Sequence, residues 1–136
     1  MLLAFAAILM SATMFAQTAA PKAEPAVIKF KELSYNFGKI KQGVPVTHDF
    51  VFSNVTDKPV TIETASASCG CTTPKWPEPP VAKGKSDKIT AGFNAAAPGP
   101  FNKSIYVKVA GVEQPIELKI TGEVVSGEEL SKAKKG

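Results

Sequence analysis

From Val46 to Ser53 the side chains alternate with a period of two. Val46, His48, Phe50 and Phe52 share one parity, and Thr47, Asp49, Val51 and Ser53 share the other, so one face is strongly apolar. Successive side chains of an extended chain point to opposite faces, so this pattern suits a half-buried strand and not a surface helix. The same period returns in Ile89, Ala91 and Phe93, in Phe101, Lys103, Ile105, Val107 and Val109, and in Ile116, Leu118, Ile120, Gly122 and Val124. Turn residues separate these runs, among them Lys83-Gly84-Lys85, Ala97-Pro98-Gly99-Pro100 and Ala110-Gly111. No helical period longer than a turn or two interrupts them. The expected fold is all-β, an immunoglobulin-like β-sandwich of about seven strands.

The remaining segments carry more particular expectations. Ile28, Phe30, Leu33, Tyr35 and Phe37 read as one extended stretch whose parity slips near Glu32. Asn54 to Pro59 reads as a turn between consecutive antiparallel strands. Val60, Ile62 and Thr64 begin the next strand, which then shifts phase to Ala65, Ala67, Cys69 and Cys71, as at a bulge or a change of partner. Between Pro74 and Pro80, four of seven residues are proline. Such a stretch cannot be a central strand, because proline has no amide proton to donate. It should cross the end of the sandwich.

The ends and the charge narrow the class. Leu2 to Phe15 is an apolar run closed by small residues, the length of a signal-peptide core and too short to span a bilayer. Residues 1–16 are expected to be a signal peptide cleaved after Ala16, with Ala20 the other site and an uncleaved anchor the alternative. The leading lysines usual in such a segment are missing, and a start upstream of Met1 would supply them. Residues 17–26 then form a flexible leader, 27–125 the domain, and 126–136 a flexible tail that has the makings of a short helix from Glu128. The expected location is periplasmic or extracellular, with no membrane span after cleavage. Net charge is +4, and all sixteen basic residues are lysine, scattered along the chain. Phosphate-gripping surfaces favour the planar fork of arginine, so nucleic acid is not expected as a partner.

Several stretches together resemble a known family. They are Phe37-Gly38-Lys39-Ile40, His48-Asp49-Phe50-Val51-Phe52-Ser53-Asn54, Pro59-Val60-Thr61-Ile62, Ser68-Cys69-Gly70-Cys71-Thr72 and Lys119-Ile120-Thr121-Gly122-Glu123-Val124. In this order, from Ile28 to Val125, the chain resembles a secreted bacterial family known as domain of unknown function 1573 (DUF1573). That family is similar to the immunoglobulin-like modules of the ASPM, SPD and Hydin group. The resemblance implies export from a Gram-negative cell and no established chemistry. Lys83 and Pro100 depart from the usual residues at two turns.

The chemistry-bearing feature is Cys69-Gly70-Cys71, the only cysteines of the chain. They are too close in sequence to be an inter-sheet disulfide. On a straight strand their α-carbons would lie ~6.5–7 Å apart, beyond the usual reach of a bridge. A positive φ at Gly70 would fold the pair into a turn and permit one. Three states are open: buried structural thiols, a labile disulfide, or a soft-metal or redox site. If residues 54–59 are a hairpin turn, His48 falls level with Ser66 and close to Cys69. Cys69, Cys71 and His48 are then candidate ligands for Cu(I), or for Zn(II) with a fourth group. The alternative for His48 is a rim-of-core histidine bonded to a backbone carbonyl. Trp76, framed by prolines, is either a contact anchor or a cover over the end of the core. No carboxylate pair or nucleophile–base set stands out, so no enzyme is expected. The first expectation is an exported, non-catalytic module acting through contacts with an envelope or extracellular protein. The second is a thiol-based copper or redox protein.

Overall fold

A computed structural model describes residues 26–135. The expected signal peptide, its cleavage sites and the expected leader up to residue 25 fall outside the described residues. Eight strands form two four-stranded sheets, followed by one helix. They are β1 (Ile28–Phe30), β2 (Ser34–Lys41), β3 (Val46–Asn54), β4 (Ile62–Ala67), β5 (Thr72–Lys75), β6 (Ser86–Phe93), β7 (Gly99–Val109), β8 (Ile116–Val125) and α1 (Gly127–Lys135). The first sheet has the order β1-β3-β6-β5, and the second β2-β8-β7-β4. All neighbours are antiparallel except β2 and β8, which run parallel.

The alternation seen in the sequence becomes the core. Phe50 and Phe52 on β3 and Ile89 and Ala91 on β6 are fully buried, facing Ile105 and Val107 on β7 and Leu118 and Ile120 on β8. Burying such side chains is worth about 1.5–3 kcal/mol each, and this drives the two layers together.

Three expectations are corrected. The stretch from Ile28 to Phe37 is two strands, not one. β1 pairs with β3 in the first sheet, and β2 pairs with β8 in the second. The parity slip near Glu32 marks the crossing, where the inward-facing side chains change sheets. The amide of Lys31 still donates to Val51 O (3.0 Å), and Leu33 O already accepts from the amide of Lys119 (2.9 Å). This split accounts for an eighth strand.

Residues 54–59 are not a hairpin turn. β4 leaves the sheet of β3 and pairs with β7, with a register shift between Ile62 and Thr64. Pro59 cannot donate to a ladder, and the next residue, Val60, makes an isolated bridge with Val81 (2.9 and 2.7 Å). The chain thus passes from one layer to the other instead of folding back.

Residues 127–135 form α1, the short helix for which the tail had the makings, beginning one residue before Glu128. Ser126 caps it, accepting from the amide of Glu129 at its hydroxyl (3.2 Å) and from Leu130 at its carbonyl (3.0 Å). Ser126 followed three residues later by Glu129 is the spacing of a capping box, and Glu128 and Glu129 place negative charge at the positive end of the helix dipole. Gly70, finally, does not adopt a positive φ.

The proline-rich stretch behaves as its chemistry requires. Pro74 lies in β5, at the outer edge of the first sheet, where a missing amide proton is tolerated.

Candidate functional site around the Cys-Gly-Cys turn

The phase shift at the end of β4 is where the chain changes layers again. β4 belongs to the second sheet and β5 to the first, and Ser68 to Cys71 joins them. Each end of this connection is tied to the domain. The amide of Ser68 donates to Ser104 O (3.0 Å), and the amide of Ser104 donates to the Ser68 hydroxyl (3.2 Å). Cys71 O accepts from the amide of Asn94 (3.0 Å). Within the turn, the amide of Thr72 donates to Cys69 O (3.3 Å).

The turn brings the α-carbons of Cys69 and Cys71 to 5.4 Å, and the two sulfurs are joined in a disulfide. That separation lies inside the ordinary span of such bonds. Of the three states open from the sequence, this structure holds the bridged one. A ring over a single intervening residue restricts the unfolded chain little, by roughly 1–2 kcal/mol. The fold rests on its core, not on this bond.

Thr72 opens β5 and is 3% exposed. Its hydroxyl lies 3.8 Å from Cys69 Sγ and 4.0 Å from Cys71 Sγ. Among the described residues these sulfurs are its only hydrogen-bond partners, and no buried side-chain oxygen or nitrogen lacks one. Trp76, one residue past β5, is half-buried and packs against the hydrophobic core, as Cys71 does.

His48 is not part of this cluster. It lies opposite Ala91 on β6, while β5 is on the far side of β6. Its ring stacks on Tyr35 of β2 (centroids 3.6 Å apart, planes within 7°) and meets Phe50 edge-on at 4.9 Å. Its Nε2 pairs with the Glu32 carboxylate. The proposed alignment with Cys69 required a β3–β4 hairpin, and the change of sheet removes it. Among the described residues no three His, Cys, Asp or Glu side chains are grouped to hold a metal ion.

On the outer face of β3, Asp49 accepts from the Thr90 hydroxyl (2.7 Å) and from Lys88 Nζ (2.9 Å). The Thr90 hydrogen bond first, and then that from Lys88, hold its carboxyl below the ordinary aspartate value. A depressed folded-state pKa contributes stability above the unfolded value, about 3.9, and loses it as pH falls through the folded one. Asp49→Asn is therefore expected to lower the melting temperature slightly at neutral pH. The gap to wild type closes below about pH 4, as read from melting curves between pH 7 and 2.

Sequence reasoning missed three of these residues. Thr72 carried no signal beyond its place after Cys71. Glu32 looked like an irregularity of parity. Tyr35 was read only as a strand residue, because its partner His48 is remote in sequence.

Two packed layers of four strands, with β1 in one and β2 in the other, define an immunoglobulin-like β-sandwich. The chain belongs to the family described as protein of unknown function (DUF1573), whose model matches residues 28–124. No curated protein sequence matches it. Among solved structures it is similar to the ASH/PapD-like domain 7 of human CEP192, at 8% identity and a TM-score of 0.63, covering 86% of this chain and 99% of that one. It is also similar to a protein of unknown function from Porphyromonas gingivalis W83, at 11% identity and a TM-score of 0.61, covering 72% of this chain and 46% of that one. A third likeness is the YadV chaperone, at 11% identity and a TM-score of 0.52, covering 73% of this chain and 52% of that one. The chain thus spans about half the length of the last two. At such identities the likeness is one of fold.

Proposed function

We propose that this is an exported, non-catalytic immunoglobulin-like module that works by contact with an envelope or extracellular protein. One observation carries the contact function. β2 is an eight-residue edge strand, paired among the described residues only with β8. Its approach and first turn expose Leu33 (55%) and Tyr35 (36%). An edge strand offers unpaired amides and carbonyls to an extended segment, and neighbouring apolar side chains supply anchors. The bulge between Asn36 and Lys39 confines this offer to the start of the strand. Similarity in shape to a chaperone supports the same direction.

Export is supported by the apolar run Leu2 to Phe15 and by the bridged cysteines, since disulfides persist in oxidising compartments. No helix among the described residues is long and apolar enough to cross a membrane.

A photo-reactive amino acid at position 33, activated in intact cells, should give a discrete adduct with one protein outside the cytoplasm. The same label at exposed Lys29 should not. Intact mass of the recovered chain should start at Gln17. Equal, diffuse labelling from both positions would remove the contact surface, and a full-length cytoplasmic product would remove export.

A further inference from the structure

The Cys69–Cys71 ring closes over one residue, and the turn that carries it stands without it. The bonds that fix the turn, Ser68 with Ser104 and Cys71 with Asn94, run through backbone groups and a serine hydroxyl. Opening the ring leaves both sulfurs on that frame, one residue apart and placed to close again. Such preorganisation is what reversible bond formation needs. Both cysteines are half-buried and Gly70 between them is exposed, so an incoming thiol has access.

Thr72 adds a second observation. Its buried hydroxyl is directed at the two sulfurs. A bridged sulfur is a weak acceptor, whereas a hydrogen bond to a thiolate is charge-assisted. The hydroxyl therefore suits the opened state better than the closed one, and it favours departure of whichever sulfur leaves.

We propose that Cys69–Cys71 is a thiol–disulfide exchange site for the cysteine thiols of a partner protein or peptide. This is independent of the contact function and replaces the non-catalytic part of that reading. In the first step a partner thiolate attacks one ring sulfur. A mixed disulfide forms, the ring S–S bond breaks, and the other cysteine leaves as a thiolate that takes a proton from water. A second partner thiolate then attacks the mixed disulfide. It yields a partner disulfide and releases the second cysteine thiol. Two electrons pass from the partner's dithiol to the ring, and a disulfide of a third molecule restores the ring by the reverse sequence.

The test uses the full chain in its oxidised form with a reduced two-cysteine peptide, followed by alkylation and intact mass. One peptide disulfide should form for each ring opened, while far- and near-ultraviolet circular dichroism stays native. Thr72→Val should slow exchange by about three- to tenfold, because the leaving thiolate loses its donor. It should also raise the pH at which the reduced thiols become reactive to iodoacetamide, and Thr72→Ser should restore both. The proposal is overturned if the wild-type ring opens only at the rate of global unfolding, a comparison that needs no variant. It is equally overturned if Thr72→Val leaves both exchange rate and alkylation profile unchanged.

Discussion

Asn54→Asp is expected to destabilise the domain by about 3–5 kcal/mol. Asn54 ends β3 with its side chain on the core parity and is 2% exposed. Its Nδ2 donates to Lys58 O (2.7 Å) and Val81 O (2.9 Å). Its Oδ1 accepts from the amide (2.8 Å) and the hydroxyl (2.7 Å) of Thr56. The side chain thus joins the 54–60 crossing to the connection that reaches Val81. A carboxylate keeps the two acceptor contacts and loses both donors. It sets a buried negative charge against two carbonyl oxygens that each lose one donor, Val81 O keeping the amide of Val60 and Lys58 O the hydroxyl of Thr56. Denaturant titration measures the loss. The pH dependence identifies its cause: the penalty shrinks on acidification, because a protonated carboxyl regains a donor. A loss that stayed constant from pH 7 to pH 4 would assign the damage to packing instead.

Gly122→Ala is expected to cost about 3 kcal/mol. Gly122 lies on β8 opposite Phe101 of β7. A methyl group there would lie 2.7 Å from Phe101 Cζ and 2.8 Å from the carbonyl oxygen of Gly38. Neither neighbour can yield easily. The Phe101 ring is buried and stacked on Phe93 at 4.1 Å, and the Gly38 carbonyl is backbone of the strand paired to β8. Relief requires β2 to lift from β8. Gly70→Ala is the control, since its added methyl meets nothing within 4 Å and Gly70 has no positive φ. It should change stability by less than about 0.5 kcal/mol. Equal midpoints for the two variants in chemical denaturation would refute the steric account.

The candidate site was legible only in part. The phase shift after Thr64 announced an irregularity at Cys69-Gly70-Cys71, and the turn there joins two sheets. The pairing of the sulfurs depends on how tightly the turn winds. That winding is held by Ser104 and Asn94, which come from β7 and from the residue after β6. The grouping of His48 with the cysteines failed for a definite reason. Sequence spacing implies spatial level only if the chain folds back in the same sheet, and the crossing at Pro59 and Val60 sends β4 into the other one. Asn54 was legible as a turn residue. Its role as a buried tie was not, because its partner Val81 lies 27 residues away.

What the chain determines by itself is each segment's extended state, its inward face and its stops. Side-chain parity, proline's missing proton and the Ser126–Glu129 cap act over a few residues, and so they survive in a linear reading. Only the tertiary structure decided the pairing of strands: which layer takes β1 and which β2, that β2 runs parallel to β8, and that β4 lies beside β7. Those choices minimise exposed apolar area over the whole sandwich, and every strand of suitable parity competes for them. Local pattern cannot rank such alternatives, because the hydrophobic effect that selects among them is non-directional and summed over both sheets.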